Sequence, residues 1–348
     1  MFFRTTLTVI LTAAAPLLAG DAVHLFQQPH MGCLFSIKIV APDFAAAKSA
    51  ADGAFDLIRE ADASFSDYRP ESELSRLCAT AGSGKSAPVS ADLWKILTDS
   101  QRYWEWSGGV FDITLGPCTK LWRDSRKSQR LPEPEVLRSA KNASGFSLLH
   151  LNTDGHTARL EKPGMRLDLG GIAKGWVLDA AVRLLHDQNH LTNFLIDAGG
   201  QIAAMGHPPG KEAWHVAVEK VPWEPDGHTT VVRLCGLHLA TSGDLHQFVE
   251  IGGKRYSHIV DPASGLGSTL GMQASVISTS GATADVAATV LCLVAPEKGL
   301  KLLKSFPDTE ARILIPAAAG GAPREVVSPG WRKFERQTLQ NPQSSLNE

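Results

Sequence analysis

The chain has 348 residues, 43% of them hydrophobic and 20% charged, with a formal net charge of -2 at pH 7. That is material for one large soluble domain or two modest ones, each able to bury a core. A near-neutral balance without Lys/Arg runs excludes a nucleic-acid binder and a polybasic membrane-surface protein.

The N-terminus, "MFFRTTLTVILTAAAPLLAGDAV", carries Arg4, an apolar stretch from Leu7 to Ala19 and then small residues. The stretch is too short to span a bilayer and contains Pro16 and threonines. Residues 1–22 are therefore expected to be a secretory signal peptide, with an uncleaved inner-membrane anchor as the alternative. No cysteine lies at that boundary, so no lipid attachment is expected. A single domain over 23–335 and a polar, disordered tail over 336–348 complete the expected organisation. Five cysteines, Cys33, Cys78, Cys118, Cys235 and Cys292, include no CxxC pair. The odd number supports neither a zinc site nor a redox motif, and buried thiols with at most one disulfide are expected.

Residues 34–40 alternate as a strand, and the alanine-rich 43–63 repeats as a helix. Ser90 caps a further helix that ends near Ser107. The polar, proline-containing 123–142 reads as a surface excursion. Short strands are expected at Ser147–Leu151 and Ala158–Glu161, then a helix over Ile172–His186 with Trp176, Ala180 and Leu184 on one side. From Asn193 to Ile277 the pattern is mostly strands, and two helices follow, Ala284–Val294 and Glu297–Phe306. Strand clusters interleaved with a few helices give an α+β class with antiparallel sheets.

Four stretches could carry chemistry. In "DLGGIAKGWV" (168–177) a Gly-Gly turn opens a helix, so amides freed at Gly170 and Gly171, with Lys174 one turn in, suit an anion. The pattern is neither GxGxxG nor a P-loop. In "STSGATADVAATV" (278–290), Asp285 and Thr289 lie four apart on one helix face. That is hard-ligand chemistry for Mg²⁺, unless the pair merely serves its helix. "KRYSHIVDPASG" (254–265) offers His258 and Asp261 as acid–base groups. Tyr68 in "FSDYRPESELS" could stack on a planar ring or pack at a surface. No GxSxG elbow, HExxH or cysteine–histidine signature is present, so hydrolase and zinc-protease readings lack support.

Taken in order, Met31-Gly32, "FSDYRPESELSRL", "GGVFDITLGP…LW", "DLGGIAKGWVLD", "LIDAGGQIAAMG", "LATSGD…GKRYSHIVDPASG" and "TADVAATVL" resemble the ApbE family of FAD:protein FMN transferases, across roughly 29–315. The resemblance implies an α+β fold related to the T-fold, with a central ligand cleft between two lobes of one unit. It implies Mg²⁺ held by the Gly171 carbonyl, Asp285 and Thr289. Flavin-nucleotide contacts fall on Met31, Tyr68, Val110, Phe111, Asp112, Asp168, Lys174, Ile259 and His258. The sequence departs from the family's usual pattern at Cys33, at Asp244-Leu245-His246 and at Leu266-Gly267, none of them an implied metal ligand.

The activity implied is Mg²⁺-dependent transfer of FMN from FAD to a Thr or Ser hydroxyl of an acceptor flavoprotein, such as a redox-complex subunit or FMN-binding domain, in the bacterial periplasm. AMP would be released, with His258 the first choice of base and Asp261 the second. A Mg²⁺-dependent FAD pyrophosphatase would use the same metal site, and a non-catalytic exported flavin binder is the alternative outside enzymes. "STSGAT", ending at Thr283, loosely resembles an acceptor segment, but its place in the metal block argues against self-modification.

Overall fold

A computed structural model describes residues 20–221, 229–245, 247–317 and 322–336. Most of the expected signal peptide, nearly all of the expected tail, and His246 lie outside the described residues. Among the described residues no helix is long and apolar enough to cross a membrane.

An eight-stranded sheet organises the chain. In chain order its neighbours and flanking elements are β1 (Ala22–His30), β2 (Cys33–Ala41), α1 (Phe44–Phe65), α2 (Glu73–Ala79), β3 (Ala87–Pro88), α3 (Ala91–Trp106), α4 (Gly116–Ser128), α5 (Pro134–Asn142), β4 (Leu149–Asn152), β5 (Thr157–Leu160) and α6 (Ala173–Arg183). There follow β6 (Phe194–Ala198), β7 (Gln201–Met205), β8 (Trp214–Ala217), β9 (Val231–Leu234), β10 (Leu237–Ser242), β11 (Phe248–Ile251), β12 (Lys254–Ser257), β13 (Gln273–Ser278), α7 (Gly281–Leu291), α8 (Pro296–Leu303), β14 (Thr309–Ile315) and β15 (Arg324–Val327). The large sheet runs β1-β2-β6-β7-β10-β13-β14-β15, and every neighbouring pair is antiparallel. It stays open, with β1 and β15 at its edges.

Strand alternation divides the core between the two faces. Phe35, Ile37, Ile39, Ile196, Ala203, Ala240, Val276 and Ile313 point to the helical side and pack with α1, α6 and α7. Val40, Leu195, Ile202, Leu239 and Ile277 point the other way, onto Trp214, Val216 and Val232 of the β8–β9 ribbon and onto Trp331. Helix α1 buries Ala47, Ala50, Ala51, Ala54, Phe55 and Ile58 at helical spacing, and Asp43 caps it by accepting from the Ala45 and Ala46 amides. Every residue of α7 except Thr289 is buried. A helix apolar on all sides belongs at the centre of a fold. That placement takes Asp285 into the core.

The sequence reading is met over β2, α1, α3 with its Ser90 cap, β4 and β5. The stretch 123–142 lies largely at the surface as expected, but α4 and α5 occupy most of it as helix. α4 buries Cys118 and Trp122, whereas α5 buries nothing and starts on Pro134, so apolar periodicity could not reveal it. Within the strand-rich stretch from Asn193 to Ile277, β12 stops at Ser257 and leaves His258 in a loop. The edge strand β1 was not expected. All five cysteines are free thiols, four of them at least half-buried.

Candidate functional site

All the candidate site residues except Asp261 line one cleft of about 480 Å³. Three sets of elements bring them there: the hairpin turn at Met31, the junction before α6 together with α7, and the loops around α4 and β12.

Met31 and Gly32 close the β1–β2 hairpin with φ of 48° and 75°. A two-residue turn with both φ values positive matches the twist of the flanking strands. Methionine is a costly residue in that conformation, and here it presents its side chain to the cleft.

The α6 junction was expected to offer the Gly170 and Gly171 amides to an anion, and the structure commits the first of them to the chain itself. The Gly170 N–H donates to Asp168 Oδ1 at 2.8 Å, closing the turn on its own side chain. The Gly175 N–H donates to Asp285 Oδ2 at 3.1 Å. The anion held by the first turn of α6 is therefore a carboxylate of the chain itself. Such an approach is possible only between glycines. A Cβ on Gly175 would lie 2.2 Å from the Gly281 carbonyl oxygen, and one on Gly281 would lie 2.5 Å from that of Gly175. One turn further along α6, Asp179 accepts from the Gly281 N–H at 2.6 Å, the Ala282 N–H at 3.0 Å and the Ser280 hydroxyl at 2.9 Å. The two helices thus hold each other through reciprocal carboxylate–amide contacts.

Asp285 is 2% exposed. Burial pushes its pKa up, opposed by the charge of Lys174, the Gly175 amide and the Gln201 side chain. Thr289 sits one turn later beside Gly171, where an added Cβ would be 3.6 Å from the Thr289 Oγ1 and 3.2 Å from the Phe111 ring. Asp285, Thr289 and Gly171 line the cleft together and can offer it one carboxylate, one hydroxyl and one backbone carbonyl. That donor set is hard, and it leaves room for waters or ligand phosphate oxygens, as Mg²⁺ requires. No group of three or more His, Cys, Asp or Glu side chains suited to a metal exists among the described residues. The residues fit an ion shared with a phosphate ligand, not a self-sufficient protein cage. Thr283, in contrast, is 4% exposed and bonded to the Tyr103 hydroxyl, so it is unavailable for modification.

Asp168 has a second role at the floor of the cleft. Arg123, which sequence reasoning missed, donates to Asp168 Oδ2 at 2.8 Å and also to Asp67. Burial works against the guanidinium charge, but the two carboxylates hold its pKa above the ordinary value. Asp67 is pushed up, first by burial and then by Asp168. Arg123 lies 4.3 Å from the Tyr68 ring centroid, and that ring is 73% exposed at the cleft mouth. Arg123 follows directly on the "LW" of the third motif block, and in a helix already rich in charge, with Lys120, Asp124, Arg126 and Lys127 around it, nothing local marks it out. Val110, Phe111 and Asp112 form the adjoining wall. Asp112 accepts from the Thr114 amide and hydroxyl, and burial raises its pKa.

His258 follows β12, which is anchored where Trp122 Nε1 donates to the Ser257 carbonyl at 2.9 Å. Burial above all, then the nearby Arg126 charge, pushes its pKa down to about 4. The ring is neutral at neutral pH. Nδ1 lies 3.2 Å from the Gln247 carbonyl oxygen, an acceptor only, so Nδ1 carries the hydrogen and Nε2 keeps its lone pair. Ile259 lines the cleft next to it. Asp261 does not: its oxygens accept from the Ala263 and Ser264 amides at 3.1 and 3.0 Å, closing the turn that follows. As a base it is the poorer choice on position alone. Gln201 and Gln273 also line the cleft and carried no expectation.

The sequence profile of the ApbE family matches residues 31–313. An FAD:protein FMN transferase of Treponema pallidum is 33% identical over 304 residues, 82% of this chain and 83% of that one. One of Vibrio cholerae is 30% identical over 335 residues, covering 94% and 98%. Among solved structures, the flavin transferase ApbE of Vibrio cholerae superposes with a TM-score of 0.81 at 26% identity, covering 90% of this chain and 99% of that one. The apo form of a Pseudomonas stutzeri flavinyl transferase ApbE gives 0.79 at 26% identity, covering 90% and 97%.

Proposed function

This chain belongs to the ApbE family, and from that premise we propose that it is a Mg²⁺-dependent FAD:protein FMN transferase. It moves FMN from FAD onto a Thr or Ser hydroxyl of an acceptor flavoprotein and releases AMP. The observation that carries this is Asp285, a buried carboxylate that shares one cleft with Thr289, Gly171, Lys174 and a neutral histidine.

In the proposed reaction the acceptor oxygen bonds to the FMN-side phosphorus. The bond from that phosphorus to the bridging oxygen breaks, and the electron pair leaves with AMP. His258 Nε2 takes the hydroxyl proton; its uncharged state and its fixed tautomer both suit it to that task. Gly171, Asp285 and Thr289 would hold the ion. When bound, Mg²⁺ supplies neutralisation of charge on the pyrophosphate oxygens. Lys174 adds positive charge beside them, and Asp168, pinned by Arg123, keeps the α6 junction in place. The chain's own contribution is positioning and electrostatics, as expected for phosphoryl transfer.

The apolar run at Leu7–Ala19 supports export to the periplasm, where the acceptor would be met. The test is to incubate the protein with FAD, Mg²⁺ and a flavoprotein domain bearing an exposed Thr or Ser. Flavin fluorescence retained on the denatured acceptor is the expected result. An unlabelled acceptor, using one labelled by another family member, contradicts the proposal.

A further inference from the structure

Gln201 opens β7 within the "DAGGQIAAMG" block, lines the cleft and is 5% exposed. Its Nε2 donates to Asp285 Oδ1 at 2.5 Å, on the oxygen that Gly175 does not reach. Each carboxylate oxygen therefore accepts one hydrogen bond and keeps a lone pair. The Gln201 Oε1 is buried and has no hydrogen-bond partner among the described residues. Turning the amide over would set that oxygen against the carboxylate, so an ionised Asp285 fixes which way round the side chain lies. A buried acceptor without a partner is destabilising, because it has given up its water and gained nothing in return. Such a cost is expected where a donor arrives with a ligand.

We infer that Gln201 is a positioning residue for the metal site: its amide nitrogen sets the Asp285 carboxylate, and its carbonyl oxygen is reserved for an O–H donor that enters with the ligand. Two sources share that chemistry, a water carried by the divalent cation and a sugar-type hydroxyl of the dinucleotide. Groups that orient a metal ligand typically change metal affinity about 10- to 100-fold when removed. Gly175 supplies the other half of the grip through the backbone, which no side-chain substitution removes, so the Gln201 contribution can be measured alone.

The inference rests on Asp285 being a metal ligand, as proposed above, and its test separates the two. Mg²⁺ alone is titrated calorimetrically into the parent chain, Gln201→Leu, Asp285→Asn and the double variant, with thermal melts to verify folding. FAD is titrated in EDTA in parallel. Parent protein that binds no Mg²⁺, with or without FAD, removes the metal assignment itself. Given parental binding, Gln201→Leu is expected to weaken Mg²⁺ at least tenfold, and the double variant to bind no more weakly than Asp285→Asn. A weaker FAD titration in EDTA assigns the donor to the dinucleotide; an unchanged one assigns it to the cation's water. Mg²⁺ affinity within twofold of the parent in folded Gln201→Leu overturns the inference, whichever way FAD moves. Should Gln201→Leu fail to fold, Gln201→Asn keeps the chemistry but withdraws it by one methylene, and the same tenfold criterion applies.

Discussion

The two walls of the cleft are built on opposite principles. On the α6–α7 wall, glycine meets glycine at backbone contact, carboxylates cap amides in both directions, and Asp285 lies in the core. On the other side of the cleft, Tyr68 is an exposed large ring with Arg123 over its face, and His258 rests in a loop after β12. The first wall has little freedom and suits fixed charges that must not move during the reaction. The second has room to admit and release partners of different shapes. The difference implies that substitutions on the first wall act on chemistry and stability together, whereas substitutions on the rim act on binding or proton transfer with the fold intact.

The largest effect is expected for Asp285→Ala. On the proposed reaction, FMN transfer should fall by about 10³-fold or more, because the several kcal/mol of charge stabilisation an ion held there would supply would be lost. A stopped assay for AMP reads it, and full activity would remove the site as assigned. His258→Ala should cost about 10²- to 10⁴-fold in transfer rate, more than it costs in FAD affinity, because the proton acceptor is lost.

The same histidine predicts an acid limb. Folded His258 titrates near 4 against an ordinary 6.5. The unfolded chain therefore binds more protons between those values, and stability contributed there is complete above 6.5 and lost as pH falls towards 4. His238, buried beside Asp179, is shifted down as well and acts in the same direction. Melting temperatures across that range should drop in acid, less steeply in a His258→Ala variant.

Gly175→Ala sharpens the contrast from the other side. Its Cβ would meet the Gly281 carbonyl at 2.2 Å. Relieving that contact means parting α6 from α7, at a cost of about 3 kcal/mol, the upper end of overpacking. A clear loss in melting temperature is expected, and an unchanged one would mean that the helices do not cross so closely. Tyr68→Ala should do least, weakening FAD by about 1 kcal/mol without moving the melting temperature, as fits an exposed ring.

How far the sequence disclosed each wall follows from the range of its contacts. The order of the motif blocks pointed to the cleft, and Asp285 with Thr289 is a local spacing on one helix. The partners of Asp285 are not local: Gly175 and Gln201 lie 110 and 84 residues away in the chain. No periodicity reports such pairs, so the turn before α6 reads as an anion-binding turn until the fold shows the Gly170 amide committed to Asp168 and the Gly175 amide of α6 to Asp285. Arg123 was missed likewise, its two carboxylates being 56 and 45 residues distant. Asp261 shows the converse. A carboxylate beside a histidine reads as chemistry, but a short side chain before proline and small residues is equally suited to bonding its own turn, and here it does so.

The central claim is that the cleft passes FMN to a protein hydroxyl and not to water. The most direct measurement is the ratio of AMP released to flavin covalently bound, with saturating acceptor, FAD and Mg²⁺. One AMP per acceptor-bound FMN, with neither formed in EDTA, is the predicted result. AMP accumulating with free FMN while the acceptor stays unlabelled would contradict it.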